Sequence, residues 1–301
     1  MSAGNPENSA EEITRSSKSN LALAFISLPK EKRRDMTGFY AFCRVVDDIA
    51  DSSSSSREEK QAALDAWKRC IGGRFAGEPE LGMEVRRLIA KYDIRPEYLF
   101  EIIAGVEMDL DKAVYPTFED LRIYCHRVAS AVGLASIEIF GYRNADCRQY
   151  AIDLGLALQL TNIVRDVGQD FDNGGRIYLP LEDMERFGYS PLDLKQKRFN
   201  DNFQRLLGFE AARAISFYES SAALLPAEDR QSMTAAEIMR HVYRRLLARM
   251  QADGFRVLEK RYRLNKAAKL ATVGGVLFGN LLNKWKPARV QERAGSNAKI
   301  P

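Results

Sequence analysis

From Ser17 onward the apolar residues of this chain recur at helical spacing, and no alternating stretch of any length competes with them. The sequence therefore predicts an all-α class. The pattern runs through Leu21, Phe25 and Leu28, breaks at Pro29, and resumes through Met36, Phe39, Tyr40, Cys43, Val46 and Ile49. The serine run Ser52 to Ser56 closes that second helix. Further helices are predicted over Arg57 to Phe75, Leu81 to Tyr92, Pro96 to Leu110, Phe118 to Phe140, Cys147 to about Gln169, Asn202 to Leu225, and Ala235 to about Arg261. Pro96 suits a first helical turn, and Thr117 suits the position ahead of the Phe118 helix. Arg176-Ile177-Tyr178-Leu179-Pro180 comes nearest to a strand, but Gly174-Gly175 before it and Pro180 at its end make it a connector. No internal repeat or central linker divides the chain. One helical domain is expected over 17–284, with polar or basic tails at 1–16 and 285–301 read as poorly ordered.

Composition narrows the function classes. The 301 residues are 46% apolar and 29% charged, which suits a globular protein with a sizeable core. A net charge of +4, with basic residues scattered through amphipathic segments, argues against nucleic acid as a partner. Cys43, Cys70, Cys125 and Cys147 show no CxxC spacing, and the polar N-terminus has no apolar signal core. A cytoplasmic location with free thiols is expected. The late apolar run Val273 to Leu282 is too short to span a bilayer and is interrupted by Gly274, Gly275 and Gly279. It reads either as a final core helix or as a surface in peripheral contact with a membrane.

Two acidic segments stand out against this background. The first reads Arg44-Val45-Val46-Asp47-Asp48-Ile49-Ala50-Asp51, and the second Asn162-Ile163-Val164-Arg165-Asp166-Val167-Gly168-Gln169-Asp170. In each, two aspartates stand four residues apart, about 5–6 Å between Cβ atoms on one helix face, where like charges repel. One such pair alone is ordinarily a solvated helix face with an arginine partner. A second copy in another apolar helix changes the weighing. Asn162, Asp166 and Asp170 share an i, i+4, i+8 face and offer a ladder of oxygen ligands. Mg²⁺ prefers oxygen ligands, and typically takes one or two protein carboxylates together with waters and substrate phosphates. Two such faces opposed across a cleft would make a diphosphate site, with Arg44 and Arg165 adding phosphate contacts.

Competing motifs fail. An EF-hand frame beginning at Asp170 puts Gly174 at its fifth position and Leu181 where a glutamate is required. Walker A, dinucleotide and serine-hydrolase fingerprints are absent, and His126 and His241 are too few for a histidine metal cluster. A metal-held diphosphate is a good leaving group, and the allylic cation left behind needs a dry pocket with aromatic faces. Phe25, Phe39, Tyr40 and Tyr124 are the candidates for that lining.

Four ordered motifs carry a resemblance to the squalene/phytoene synthase family. They are Phe39-Tyr40-Ala41-Phe42-Cys43-Arg44 leading into Asp47 to Asp51, Tyr124-Cys125-His126-Arg127-Val128-Ala129-Ser130-Ala131-Val132-Gly133, Gln159 to Asp170, and Gly175 to Pro180. The resemblance implies the isoprenoid synthase fold with a central active-site cavity, Mg²⁺ dependence, and head-to-head coupling of two prenyl diphosphates through a cyclopropylcarbinyl diphosphate. It implies that Asp47, Asp51, Asp166 and Asp170 hold the metal with support from Asp48 and Asn162. It implies diphosphate contacts from Lys18, Ser19, Arg44, Arg165, Tyr40 and Tyr243, and a catalytic role for Tyr40 and Tyr124. His126 departs from relatives that carry a second tyrosine there.

Leu28-Pro29-Lys30-Glu31-Lys32-Arg33-Arg34 and Val128 to Gly133 resemble the bacterial enzymes that join two farnesyl diphosphates into presqualene diphosphate or squalene, so a C30 product is expected. Phytoene synthases, which join two geranylgeranyl diphosphates in carotenoid biosynthesis, share Arg165 to Gly168 and Arg176 to Pro180, and small Ala22 and Ala24 would deepen a pocket in their favour. A head-to-tail synthase or terpene cyclase would fit the first acidic segment but not the second. A non-catalytic assembly factor of the same fold would be expected to lose acidic ligands that this chain keeps. NADPH use is left open, because nicotinamide can bind outside a GxGxxG fold.

Overall fold

The computed structural model describes residues 24–52, 54–73, 79–111 and 114–284, with side chains described as far as residue 279. Among the described residues there is no strand; a single parallel bridge joins Val114 to Ile177, where the connector was read. Helix α1 (Lys30–Asp51) starts after Pro29 and buries Met36, Phe39, Phe42 and Val46 on one face. Helix α2 (Arg57–Ile71) opens on a Ser56–Glu59 capping box and stops at Gly72, followed by Gly73 at φ 82, not at the predicted Phe75. Helix α3 (Gly82–Tyr92) ends on Asp93 in the left-handed region, and α4 (Pro96–Met108) carries Pro96 at its first turn.

The segment predicted as one helix from Phe118 to Phe140 is helical throughout but not uniformly so. Thr117 and Asp120 form a capping box for α5 (Phe118–Cys125), a π-helical turn covers His126–Ser130, and α6 (Ala131–Phe140) continues to Gly141. This stretch is long and apolar enough to cross a bilayer, but half of it is buried within the protein, so the core accounts for its character. The 27-residue α7 (Asp146–Asp172) is the central helix and packs on α6, the π turn, α10 and α11. Short α8 (Leu181–Arg186) and α9 (Pro191–Lys195) follow; neither shows in the sequence periodicity, because five or six residues cannot display it.

Helix α10 (Asp201–Leu224) is capped by Asn200 and lies along α7. Helix α11 (Thr234–Ala252) ends well before the predicted Arg261, because Gly254 and Phe255 both take positive φ. Residues 256–265 therefore run outside it, which frees Arg261 to reach another element. Helix α12 (Lys266–Lys284) closes the described chain against α11. The core is continuous through Phe42, Trp67, Tyr150, Phe203 and Tyr218, all fully or nearly fully buried. Fully buried Asp35 on α1 is tied to α3: burial alone would raise its carboxyl, but hydrogen bonds from Lys91, Tyr92 and Arg87 overcome that and hold it at about 2.

Candidate active site

The last two turns of α1 carry Asp47, Asp48 and Asp51 and no basic residue, an arrangement the helix dipole disfavours. Arg44 compensates in part, donating from Nη1 to Asp47 Oδ2 at 2.9 Å and pairing through Nη2 with Asp48 Oδ1 at 2.5 Å. Burial, then the neighbouring Asp51 carboxylate, pushes Asp47 up to about 6. Asp47 lines the cleft, and Asp51 accepts from Arg176 Nη1 at 3.2 Å. Asp48, expected as a supporting metal ligand, borders a depression with Ser52, Ser55 and Lys60. Adjacent helix positions point about 100° apart, and the Arg44 guanidinium bridges the Asp47 and Asp48 carboxylates across that gap.

On α7, Asn162, Asp166 and Asp170 follow the predicted ladder. Asp166 is paired with Arg165 and, from beyond α11, with Arg261 at 3.2 Å. Tyr243 of α11 lies close enough to Arg165 to help hold its charge. Burial, then Asp166, pushes Asp170 up to about 7. Asn162 Nδ2 donates weakly to Gln159 Oε1 at 3.4 Å, while Asn162 Oδ1 is buried with no hydrogen-bond partner. Such an orphan acceptor is costly unless something binds it.

Two residues outside both acidic segments join them. Arg176, on the connector after α7, pairs with Asp51 of α1 and offsets the rise at Asp170 of α7. Asp109, which caps the end of α4, accepts from Tyr178 Oη at 2.7 Å and from Tyr124 Oη at 2.9 Å. Burial raises its carboxyl, and the two tyrosine hydrogen bonds offset only part of that. Its charge in turn raises both Asp47 and Asp170, so one carboxylate feels both halves. Sequence reasoning passed over Asp109. The signal that could have found it is an acid at a helix C-terminus, where the dipole disfavours negative charge. Replacing Asp109 by Asn keeps its shape and removes its charge; the Mg²⁺ concentration for half-maximal turnover is then expected to rise about tenfold or more. A metal titration of turnover that does not move would show that Asp109 serves only packing.

Below the polar mouth the site turns apolar. Phe25, Phe39, Tyr40 and Tyr124, the four predicted aromatic linings, all border a cavity of about 300 Å³ that also carries Arg44, Asp47, Asp109 and Asn162. Tyr124 stacks on Tyr178 at 5.1 Å between ring centroids, and Tyr115 stacks on Tyr178 at 5.9 Å. A second cavity of about 200 Å³ shares Phe25, Met36, Val128 and Asn162 with the first and runs inward to Phe140, Tyr150 and Met239. Half-buried His126 borders neither cavity, and His241 lies beside Arg240 on α11. Lys18 and Ser19 lie outside the described residues.

Among the described residues, no three carboxylates converge into a ready-made cation cage. The donor set nevertheless suits a hard dication shared with a ligand: carboxylates raised by burial and then by their neighbours' charge, an orphan amide oxygen, and arginines that stand in as counter-charges.

A profile of the squalene/phytoene synthase family matches residues 14–268. The presqualene diphosphate synthase of Zymomonas mobilis is 35% identical over 268 residues, covering 88% of this chain and 91% of that protein. The 15-cis-phytoene synthase of a Synechocystis species is also 35% identical, over 255 residues, covering 79% of this chain and 74% of that protein. A dehydrosqualene synthase crystal structure superposes with a TM-score of 0.81 at 28% identity, covering 93% of this chain and 97% of that one. Two acidic helix faces meeting at the mouth of an apolar cavity, with these matches over most of the chain, place it in the squalene/phytoene synthase family, as a prenyltransferase of the head-to-head kind.

Proposed function

We propose that this chain joins two farnesyl diphosphates head to head into a C30 presqualene diphosphate or squalene-type product, with Mg²⁺ held by Asp47, Asp51, Asn162, Asp166 and Asp170. The observation that carries the reading is the coupling of both acidic faces through Asp109 and Arg176 at the mouth of the aromatic cavity. Bound Mg²⁺ would screen the diphosphate and stabilise it as a leaving group. Arg44, Arg165 and Arg176 stand where they can contact the diphosphate oxygens, and a diphosphate would compete for the carboxylates they now pair with. The ring faces of Phe25, Tyr40 and Tyr124 suit the cation that remains once the C1–O bond breaks, and the apolar walls exclude water from it.

Support for the shorter substrate comes from the inner end of the cavity. Tyr150 is fully buried there and its hydroxyl donates to Glu237 at 3.0 Å, which fixes the ring as a wall beside Phe140 and Met239. The Zymomonas mobilis relative, named as a presqualene diphosphate synthase, points the same way. Fully buried Ala24 lines the same cavity and leaves room at its side, which favours the phytoene reading carried by the Synechocystis relative. Incubation of purified protein with Mg²⁺ and each diphosphate, followed by mass determination of the extracted product, decides between them. A C30 product from farnesyl diphosphate is expected. A C40 product formed preferentially from geranylgeranyl diphosphate would assign the phytoene reaction, and no turnover of either would leave only a non-catalytic role.

A further inference from the structure

Helix α12 carries an apolar face that no other part of the described chain covers. Leu270, Gly274, Leu277 and Phe278 fall on one stripe at i, i+4, i+7 and i+8, and all are exposed, Leu270 at 60% and Phe278 at 62%. Val273, which borders the stripe beside Leu277, is buried and marks the edge where the helix meets the rest of the protein. Exposed Ile26, Met83, Val114, Ile123 and Leu192 lie elsewhere on separate elements, so the α12 stripe is the place where large apolar side chains gather.

The charge around this stripe has one sign. Between Lys266 and Lys284 the helix holds three lysines and no acid, and residues 285–301 add four basic residues against one glutamate. An apolar stripe flanked by lysines and free of acids is the pattern of a helix lying in the headgroup region of an anionic bilayer. We infer that α12 docks the protein on an anionic lipid surface, with Leu270, Leu277 and Phe278 entering the headgroup boundary.

A second observation ties this face to the catalytic cavity. A groove of about 810 Å³ runs beside α12, bordered by Leu277, Leu28, Pro29 and Phe140. Phe140 also forms the inner end of the 200 Å³ cavity, so a single side chain belongs to both the reaction chamber and the lipid-facing groove. The acids in that groove are already engaged: Asp229 accepts from the backbone N–H groups of Arg143 and Asn144, and Glu228 from the Asn144 side chain. A water-insoluble prenyl product gives this continuity a use. That use rests on the reaction proposed above, whereas docking itself does not, and it is read without turnover.

Flotation of the full chain with phosphatidylcholine vesicles, with and without phosphatidylglycerol, tests the inference. Binding is expected to the anionic vesicles and to weaken with added salt. The triple variant Leu270→Ser, Leu277→Ser, Phe278→Ser is expected to lose about tenfold or more of the bound fraction. Lys266→Glu with Lys269→Glu is expected to erase the preference for phosphatidylglycerol. Thermal unfolding of each variant should match the parent, since the replaced side chains are exposed or only partly buried; Phe278→Ser alone replaces any variant that unfolds early. Failure of the parent to float with either vesicle overturns the inference, as does a variant that floats undiminished. A concentration-dependent dimer lost in the triple variant, without vesicle binding, would assign the face to a second copy instead.

Discussion

Asp170→Asn should abolish turnover, by about a thousandfold or more, while making the metal-free protein more stable at neutral pH. Both effects follow from one observation, a carboxyl raised to about 7 by burial and by the Asp166 charge beside it. An unfolded aspartate titrates near about 3.9, so between about pH 4 and pH 7 the folded chain holds a proton that the unfolded chain has lost. Stability therefore falls as pH rises through that window, and above it the full cost of the buried charge is present. Asparagine keeps the shape and removes the charge. After discounting for water in the cleft, the gain at pH 8 is about 1 kcal/mol, or about 2 °C in melting temperature for a chain of this size, and it vanishes near pH 4. Melting curves in EDTA at both pH values check this; a variant no more stable than the parent at pH 8 would show that the charge is not under strain.

Added Mg²⁺ with inorganic diphosphate should then separate the two proteins in the opposite direction. Metal binding requires the deprotonated carboxylates and stabilises the form that holds it. The parent should rise in melting temperature at pH 8 and much less at pH 5.5, whereas Asp170→Asn should respond weakly at both. Asp47→Asn is expected to behave alike on turnover with a smaller stability gain, because Asp47 is raised only to about 6 and its side chain stays 51% exposed.

What the sequence revealed of this site, and what it hid, follows from the range of the interactions involved. The i, i+4 spacing of Asp47 with Asp51 and of Asp166 with Asp170 is legible because helix geometry is local. The aromatic lining was legible too: Phe39 and Tyr40 stand on α1 ahead of its acidic end, Phe25 stands just before that helix, and all three fall in the helical apolar pattern. Asp109 and Arg261 were not. Each reaches the site from outside a helix interior, Asp109 from the end of α4 and Arg261 from the segment that α11 leaves free by stopping at Ala252. Their partners are more than a dozen residues away in sequence, and only packing brings them together. Asp48 lies between these cases: it shares the Arg44 guanidinium with Asp47 and also borders a separate depression beside Ser52 and Lys60. The π turn was hidden because its sequence, His126 to Ser130, keeps helical composition throughout.

That π turn sets the second large effect. Gly155→Ala should cost about 3 kcal/mol, lowering the melting temperature by about 5 °C or more. A Cβ at Gly155 would lie 2.6 Å from Ser130 Cα, 2.7 Å from Ser130 N and 2.9 Å from Ala129 C. All three are backbone atoms of the turn, so no side chain can swing aside to make room. Ser130 is itself fully buried and donates from Oγ to the Ile152 carbonyl at 2.8 Å, clamping the turn to α7 one turn before Gly155. Gly105 of α4 faces the same turn, with Val128 Cγ1 at 2.7 Å and Arg127 Cβ at 2.8 Å from a built Cβ, so the turn is held between two helices at glycine contacts. Gly208→Ala on α10 is the matched control. Its nearest neighbour, Phe255, would stand at 4.0 Å, and the helix preference for alanine should make it neutral or more stable by about 0.5–1 kcal/mol. Turnover of Gly155→Ala should also fall at temperatures where the variant is still folded. The turn carries Val128 into both cavities and begins two residues after Tyr124, whose hydroxyl holds Asp109 between the two acidic faces. A Gly155→Ala protein that melts and turns over like the parent would show that α7 and the turn can part without consequence, and that the close approach is not what positions the aromatic wall.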